Sequence, residues 1–501
     1  MKQFAMQENE FFQTVLFFLR SLENTRIYLV GGAVRDALLG KPSHDFDFIV
    51  EGDALATARK LANHIKGAFY VLDSSRNYAR VIAHDSAGVR NILDFAPLYQ
   101  NELTLDLQSR DFTVNAIAWE ISSERRALTD PLHGMADLEN GVLKLCSDGA
   151  FASDPVRMIR AARFAVEYKL ELETPLRAQV RASASKLGAV SEERRRDELF
   201  KILENERVAT ALEILRDMHV LEWVYPEVYK LVGFQQGNPH RFDGWQHTLK
   251  TVHYSEGMLN FIQNGEKGDH SSVWMLDVFR LLDEYAADLK RALSKSPVVE
   301  RSLRSLILFS ALHHDVGKPL DRGEVVGNRV RYAHHAALGA KAALRCAQRM
   351  ALSKAESQWV EQFVSHHMLL HDMDIHASEM EQRVFLYRFF QSAGRASPFV
   401  ALFSLADLLA TYDDALVEER WRAGLVRCAK ALNGWFREHH ALAAPEPLLD
   451  GDELQKKFHL KPGKQLGELL DGLREAQAAG KVKSKSQAIK WVDQWLQKTK
   501  D

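Results

Sequence analysis

Hydrophobic and polar positions alternate over short runs early in the chain and follow a helical period later. Five short runs predict strands: Ile27–Val30, 45–48, Phe69–Asp73, Tyr78–His84 and Val89–Pro97. The segment from Asp53 to Lys66 has a helical period, and from about residue 152 onward nearly every segment does. This change predicts an α+β fold, with a mixed α/β head over residues 1–150 followed by a mostly helical region.

Two breaks divide the helical region. Gly237-Asn238-Pro239-His240 precedes a His-rich stretch, and Ala443 to Pro447 precedes a Lys-rich end. We therefore predict a helical neck and body over 151–236, a His-rich domain over 237–440 and a basic C-terminal helical segment over 441–501. The lysines of the last segment suit either a contact with a nucleic acid backbone or the solvated face of a small docking domain.

The amino-acid composition narrows the possible classes of protein but does not identify one. The apolar share of 46% and charged share of 26% are those of an ordinary globular protein. With a net charge of −2, any nucleic acid contact must come from local patches. The three cysteines are far apart and predict reduced structural thiols. The apolar stretch Phe11 to Leu19 is too short for a bilayer and predicts an amphipathic helix, so we expect a cytoplasmic protein with no membrane association.

The richest chemical pattern lies in residues 31–50. Gly31-Gly32 follows an apolar run, and Asp45 and Asp47 alternate with phenylalanines. Because successive side chains of a strand point to opposite faces, both carboxylates project from one side. Neighbouring carboxylates favour a cation between them, and Mg²⁺ prefers oxygen ligands. A glycine pair alone usually marks a loop and Asp-x-Asp alone a solvated edge, but together they predict a metal-dependent nucleotidyl transfer site.

Further charged residues extend this pattern. Asp94, in a predicted strand, is a candidate third carboxylate. In Ser109-Arg110-Asp111, Arg110 can bind a phosphate bidentately, and Asp111 and Asn115 can fix its surroundings. Asp111 is also predicted to N-cap an apolar helix that follows it.

A second charged group opens the helical region. Asp154 precedes a proline, which predicts a helix start there, and Arg157 and Arg160 lie one turn apart on one face. An aspartate and an arginine held by a rigid helix can pair with the edge of a nucleotide base. A capped helix with solvated arginines would be the simpler interpretation if this motif stood alone.

In this order, the motifs resemble those of class II tRNA nucleotidyltransferases (CCA-adding enzymes) and bacterial poly(A) polymerases. The resemblance covers roughly residues 25 to 235 and implies a DNA-polymerase-β-like head followed by a helical neck and body that hold the tRNA acceptor end. It implies Mg²⁺ as cofactor, and CTP, ATP and tRNA as partners. The implied catalytic residues are Asp45, Asp47 and Asp94, of which Asp45 and Asp47 would bind Mg²⁺. The implied nucleotide-binding residues are Gly32, Arg35, Arg110, Asp154, Arg157 and Arg160.

Two departures bear on nucleotide choice. The family usually has Arg-Arg-Asp where this chain has Ser109-Arg110-Asp111, and Glu-Asp-x-x-Arg where it has Ser153-Asp154-x-x-Arg157. The loss of the glutamate leaves full CCA addition, CC addition and A addition all open. Poly(A) synthesis is the alternative, although no long basic tail favours it.

The His-rich region carries a second pattern. His-Asp followed by Val-Gly-Lys after an apolar run is uncommon, and imidazole and carboxylate ligands from several helices can enclose metal ions that activate water. The region resembles the HD superfamily of metal-dependent phosphohydrolases. By that resemblance the metal ligands would be His247, His314, Asp315, His335 and Asp407, with His366 or His367 for a second ion of unknown identity. It implies phosphodiesterase or phosphatase activity on RNA ends. A further alternative is an HD phosphohydrolase whose transferase head only binds nucleotide or RNA.

Overall fold

The computed structural model describes residues 10–122, 128–268, 272–297 and 301–498. The chain forms two compact units, the first comprising Met1–Val190 with Met218–Val220 and the second Ser191–Asp217 with Leu221–Asp501. A mixed first unit and a helical second unit confirm the predicted α+β class. The first unit extends well past residue 150, where the sequence pattern changes, so the four-part domain division stays a prediction.

A seven-stranded sheet organises the first unit, in the order β3-β4-β5-β2-β1-β6-β7. Its strands are β1 (Ile27–Val30), β2 (Asp45–Val50), β3 (Ala68–Asp73), β4 (Tyr78–His84), β5 (Arg90–Pro97), β6 (Ala118–Glu120) and β7 (Leu128–Thr129). Only β2 and β5 pair in parallel among these neighbours, with Asp47 opposite Asp94. All five strands predicted from the sequence are present.

One face of this sheet carries the core. Phe46, Phe48 and Phe95 point into it, and the Phe48 and Phe95 rings stack at 4.9 Å between centroids. Two amphipathic helices cover that face, α1 (Glu10–Arg20) and α3 (Ala54–Ile65). Because side chains alternate along a strand, Asp45 and Asp47 point to the opposite face. A second apolar core that includes Val30 and Ile49 covers part of that face, and we call the exposed part that carries Asp45 and Asp47 the open face.

The rest of the first unit is largely helical. Its helices are α2 (Gly32–Leu38), α4 (Leu103–Ser109), α5 (Gly134–Glu139), α6 (Ala150–Ser153), α7 (Arg157–Glu167) and α8 (Thr174–Ser183). Two short strands, β8 (Val142–Leu143) and β9 (Glu171–Leu172), pair in parallel. Helix α7 is assigned from Arg157, three residues after the predicted start, and a turn with hydrogen bonds from Arg157 N to Asp154 O and from Met158 N to Pro155 O leads into it. The Asp154 carboxylate accepts a hydrogen bond from the Val156 amide in this turn.

Over the residues that the structure describes, the second unit is helical apart from one hairpin. Its first helices are α9 (Glu192–Leu203), α10 (Val208–Asp217), α11 (Leu221–Val224), α12 (Pro226–Tyr229), α13 (Gly244–Asn264), α14 (Val273–Glu284), α15 (Ala286–Leu293) and α16 (Leu303–His313). They are followed by α17 (His335–Arg349), α18 (Lys354–His366), α19 (Glu379–Ala393), α20 (Ser397–Tyr412) and α21 (Glu418–Phe436). The hairpin, β10 (Glu324–Val326) with β11 (Arg329–Arg331), was not predicted from the sequence.

One described segment, 379–415, has the length and apolar character of a membrane span. Of its most apolar window, 89% is buried inside the protein. Helix α20 accounts for this burial, since nearly all its residues lie in the core of the second unit. The segment is therefore core structure.

The chain ends in three helices, α22 (Gly451–Phe458), α23 (Lys464–Ala478) and α24 (Lys485–Lys498). They share a small apolar core that includes Leu454, Leu469 and Leu473. The predicted helical character of this segment is confirmed. The three cysteines are free and buried, as predicted.

Candidate active site and metal centre

The open face of the head sheet brings three carboxylates together. Asp45 and Asp47 alternate on β2, and Asp94 pairs with Asp47 in parallel register on β5. Residues in register on neighbouring strands point to the same face. The three side chains therefore form an acidic row on the open face, beside the second apolar core.

Gly31 lets the backbone come close to this row. Its φ of +76° lies in the left-handed region, and a Cβ at this position would lie 2.9 Å from Asp47 Oδ2 and 3.1 Å from Arg110 Nη1. Any side chain would therefore meet both charged groups. The glycine turn places Asp47 beside Arg110, while Gly32, the predicted nucleotide contact, begins α2.

Asp94 is already paired. Arg80 donates two hydrogen bonds to its carboxylate, Nε to Oδ1 and Nη2 to Oδ2, each 2.8 Å long. This bidentate contact fixes the orientation of the Asp94 side chain on the open face. Arg80 was not singled out from the sequence, because it lies on β4 and meets Asp94 only through strand pairing.

The surroundings of Arg110 differ from the prediction. Asp111 does not cap an apolar helix; a single 3-10 turn, Thr113–Asn115, follows it with Phe112 at the N-cap. Asp111 accepts hydrogen bonds from Asn115 and from Arg160, so it fixes Arg160 rather than Arg110. Although burial alone would raise it, Arg160 and these hydrogen bonds lower the pKa of Asp111.

Arg35 is buried within a network of its own. Its guanidinium donates to Asp36, to the Asn115 side-chain oxygen and to the Tyr168 hydroxyl. It also lies 3.9 Å from the centroid of the Tyr168 ring. This arrangement favours a role in fixing the start of α2 over direct contact with a triphosphate, so the contact predicted for Arg35 stays a prediction.

The start of α7 meets the segment that contains Arg110. Arg157 donates to two backbone carbonyls, Nη2 to Ser109 O at 2.9 Å and Nη1 to Arg110 O at 3.2 Å. Ser153, at the position of the family glutamate, lies 3.4 Å from Arg157 Nη1 through its hydroxyl. Backbone carbonyl oxygens therefore orient the Arg157 guanidinium in this chain, which lacks the glutamate carboxylate that the family has at position 153.

The acidic row suits a divalent cation. Asp47 is accessible to solvent, yet neighbouring protein atoms desolvate its carboxylate. This desolvation raises its pKa; Arg110 acts against the shift, whereas Asp94 and Asp45 add to it. A hard cation between the carboxylates would remove this repulsion, so Asp45 and Asp47 fit the donor set of a divalent metal.

The helical unit holds a second cluster at the meeting point of four helices. His247 lies on α13, Asp407 on α20 and His335 at the start of α17, while His314 and Asp315 directly follow α16. His247 Nε2 lies 3.1 Å from Asp407 Oδ1 and 3.2 Å from His314 Nε2. The five residues predicted as ligands are thus brought together.

Asp315 divides the cluster into two parts. Its Oδ2 lies 3.1 Å from His314 Nε2, and its Oδ1 lies 3.5 Å from His335 Nε2 and 3.9 Å from His367 Nε2. His367 therefore joins the cluster. His366 lies outside it, partly exposed and hydrogen-bonded to the Gln362 carbonyl.

Hydrogen bonds on the far side of the rings set the tautomers. Nδ1 of His314, His335 and His367 each faces a backbone carbonyl at 2.6–2.8 Å and donates to it. A neutral ring that donates from Nδ1 has a free lone pair on Nε2. Burial lowers the pKa of His367 to about 3, which favours the neutral form. These are the properties of imidazole metal ligands, so the cluster fits one or two metal ions.

Three residues around this cluster were not predicted. Lys318 Nζ lies 2.6 Å from Asp315 Oδ2, and His371 Nε2 lies 3.4 Å from Asp407 Oδ2. The His240 ring packs edge-on against His247, with 4.9 Å between centroids. Of these only Lys318 had a local signal, since it follows Asp315 by three residues within the same motif.

Gly317 lies next to the cluster, where the backbone of α17 packs closely against the segment that follows α16. A Cβ there would lie 2.0 Å from the His335 carbonyl oxygen and 2.5 Å from the Gly339 amide nitrogen. Both are backbone atoms that cannot turn away. The glycine thus allows α17 to approach the end of α16, which brings His335 to Asp315.

We expect Gly317→Ala to destabilise the protein by about 2–4 kcal/mol, because the added methyl overlaps backbone on both sides. Thermal unfolding measures this as a lower midpoint, and weaker metal binding should accompany it. Gly467→Ala is the matched control, since it lies in helix α23 with no atom within 4 Å of its Cβ. An equal effect of the two changes would contradict the packing role.

The fold and the site together define a class of enzyme. A polymerase-β-like sheet with an acidic row on its open face, beside an arginine-rich helix start, is the arrangement of a metal-dependent nucleotidyltransferase. Comparison with known proteins agrees. Residues 27–144 match the Poly A polymerase head domain, and residues 169–231 match a probable RNA and SrmB-binding site of polymerase A.

Curated relatives match along nearly the whole chain. An A-adding tRNA nucleotidyltransferase of Deinococcus radiodurans is 32% identical over 94% of this chain and 96% of its own length. A CC-adding tRNA nucleotidyltransferase of Synechocystis is 28% identical over 93% of this chain and 92% of its own. A solved CCA-adding enzyme in complex with CTP has the same fold, with a TM-score of 0.62, 19% identity and coverage of 97% and 96% of the two chains.

The chain belongs to the tRNA nucleotidyltransferase family, within the class that also includes poly(A) polymerases. It is a nucleotidyltransferase, and enzymes of this kind use a divalent metal. The resemblance drawn from residues 31–160 is confirmed, as is the polymerase-β-like head with a helical body.

Proposed function

We propose that this enzyme adds C, A or both to the 3′ end of tRNA without a nucleic acid template, taking CTP or ATP and releasing pyrophosphate. One observation carries this: the acidic row lies next to Arg110 at the Gly31 turn. The names of the full-length relatives support the substrate and leave the nucleotide open, since one adds A and another adds CC. We place this soluble enzyme in the cytoplasm.

The residues of the head have different roles in this reaction. Asp45 and Asp47 would hold Mg²⁺, which would lower the pKa of the RNA 3′-hydroxyl and neutralise charge at the α-phosphate. Asp94, oriented by Arg80, completes the acidic set. Arg110 donates to a phosphate of the nucleotide, and the Gly31 turn leaves the Gly32 amide open to the same group.

Nucleotide selection falls to the start of α7. Asp154 offers a carboxylate acceptor and Arg157 a guanidinium whose direction is fixed by Ser109 O and Arg110 O. An acceptor and a fixed donor on one rigid element can pair with a base edge. Arg160, on the same helix as Arg157, is held in place by its two hydrogen bonds to Asp111, 2.9 and 2.7 Å long.

Replacing Arg157 with Lys tests this selection. Lysine keeps the charge but loses the forked contact with the two carbonyls, so we expect the preference between CTP and ATP to fall by about tenfold to a hundredfold. The ratio of kcat/KM for the two nucleotides measures it. Arg177→Lys is the control, since Arg177 also donates to a backbone carbonyl, that of Leu172, within the same unit. An unchanged ratio in Arg157→Lys would remove Arg157 from base selection.

A panel of tRNA ends decides which nucleotides are added. Purified enzyme with Mg²⁺ receives each labelled nucleotide and tRNAs that end before the first C, after CC, or with a 3′-phosphate. Addition of both C residues, of A alone or of all three identifies the activity. A long A tail would instead indicate a poly(A) polymerase, and no addition to any end would contradict the proposal.

A second function is favoured by the histidine cluster. We propose that it is an HD-type metal-dependent phosphohydrolase site that acts on phosphorylated RNA ends. The observation behind it is the convergence of four buried imidazole Nε2 atoms and two carboxylates, with Nδ1 of three rings held by carbonyls. A divalent metal bound there would activate water for attack on phosphorus. This would leave a free 3′-hydroxyl for the head.

A further inference from the structure

A cavity of about 630 Å³ lies beside the histidine cluster in the helical unit. Its walls are the loop 235–243, the first turn of α13 and the hairpin β10–β11. The two walls touch: Asn238 donates to the Asn328 carbonyl at 3.2 Å, and the absence of a side chain at Gly237 admits Val330, which would lie 2.7 Å from a Cβ there. The hairpin missed by the sequence analysis thus forms one side of a built pocket.

Lys318 connects this cavity to the cluster. Its Nζ forms an ion pair with Asp315 Oδ2 at 2.6 Å, donates to Gln236 Oε1 at 2.6 Å, and lies 3.3 Å from His240 Nε2. Gln236 and His240 both line the cavity. One buried ammonium group therefore separates the cavity wall from the central carboxylate of the cluster. A ligand in the cavity would contact Gln236 and His240, which Lys318 links to that carboxylate.

The lining fits a ligand that has both an anionic group and a hydrogen-bonding ring. Arg241 and Arg329 bring two guanidinium groups to the wall. Arg329 is exposed and forms no ion pair with any residue in the described ranges, and Arg241 forms only an exposed pair with Asp414, which costs little to break. The one acidic residue of the lining, Asp243, is occupied, because it accepts the Gln246 and Gly233 amides.

Side-chain amides supply the rest of the polar lining. Gln235, Asn238, Gln246 and Asn328 offer both donors and acceptors, as the edge of a nucleobase requires. The volume lies in the range of pockets that enclose a nucleotide-sized ligand. Guanidinium groups for phosphate and amides for a base together describe a nucleotide pocket.

We propose that this cavity binds a nucleoside 3′-phosphate, either at the 3′ end of an RNA or as a free nucleotide, and presents it to the histidine cluster. This assignment rests on the proposed hydrolytic function of that cluster. Arg241 and Arg329 bind the phosphates and the amides contact the base. The site is separate from the nucleotide site of the head, which lies in the other unit.

Titration calorimetry on the full-length protein tests this with two probes, a nucleoside 3′-monophosphate and a trinucleotide with a 3′-phosphate. The variant carries Arg241→Gln and Arg329→Gln, and Arg331→Gln is the control, since Arg331 lies on β11 but does not line the cavity. We expect the double variant to weaken binding at least tenfold, the control to match the wild type, and nucleotide addition to stay unchanged in both.

The outcomes distinguish the cavity assignment from the proposed hydrolytic function. Equal binding by the wild type and the double variant, or no binding of either probe, would overturn the cavity assignment. Arginine-dependent binding supports it even if no divalent metal gives hydrolysis, and that result would overturn only the hydrolytic function. Binding of the trinucleotide alone identifies RNA ends as the ligand, whereas equal binding of both probes shows that one terminal nucleotide is enough.

Discussion

Replacing Asp47 with Asn is expected to lower nucleotide addition by about a thousandfold or more while leaving the fold intact. Asp47 is central to the acidic row, between Asp45 on its own strand and Asp94 in register beside it. Asparagine keeps the shape but removes the charge that holds the metal. Single-turnover addition of labelled nucleotide measures the loss, and Asp45→Asn should behave alike.

The stability of the same variant is a second readout. Desolvation raises the pKa of Asp47 in the folded state, so above its unfolded-state pKa the ionised group costs the metal-free fold stability. Asp47→Asn removes that cost. We therefore expect a melting temperature equal to or above that of the wild type at neutral pH, with the difference vanishing as the pH falls. Asp148→Asn, an exposed acid of the same unit, should change neither activity nor stability, and a folded, fully active Asp47→Asn would contradict the account.

Replacing both His314 and Asp315 with Ala is expected to abolish metal binding and end-processing by the helical unit while sparing addition by the head. Asp315 contacts both halves of the cluster, so its loss removes the shared carboxylate. Elemental analysis measures the bound metal, and release of phosphate from a 3′-phosphorylated RNA measures hydrolysis. Nucleotide addition by the same sample shows that the head is folded.

His366→Ala is the matched control for this experiment. His366 directly precedes His367 but lies outside the cluster, with Nδ1 bonded to the Gln362 carbonyl. It should keep both metal and hydrolysis. Hydrolysis that persists in the double variant would show that another site performs it.

The sequence predicted the parts of the head that depend on local pattern. Alternation along β2 gives the common face of Asp45 and Asp47, and the strand that contains Asp94 was recognised by its apolar run. Their meeting depends on the parallel pairing of β2 and β5. The pattern gives the strands, but strand order is a tertiary property.

The errors have the same physical origin. Asp111 has the local signature of a helix cap, yet its partner is Arg160, far along the chain. His371 and His240 carry no motif, and only helix packing brings them to Asp407 and His247. Burial of charged and polar groups is satisfied by partners distant in sequence, which a single chain of letters does not identify.

The length of the product made by the intact enzyme tests the central claim most directly. The purified protein is incubated with Mg²⁺, saturating CTP and ATP, and a tRNA that lacks its terminal CCA or only the final A, and the products are resolved at single-nucleotide length. The acidic row of the head and the Asp154–Arg157 pair predict addition that stops after one to three residues of defined sequence, and that is lost in Asp47→Asn. A long A tail, or equal addition by Asp47→Asn, would contradict the account.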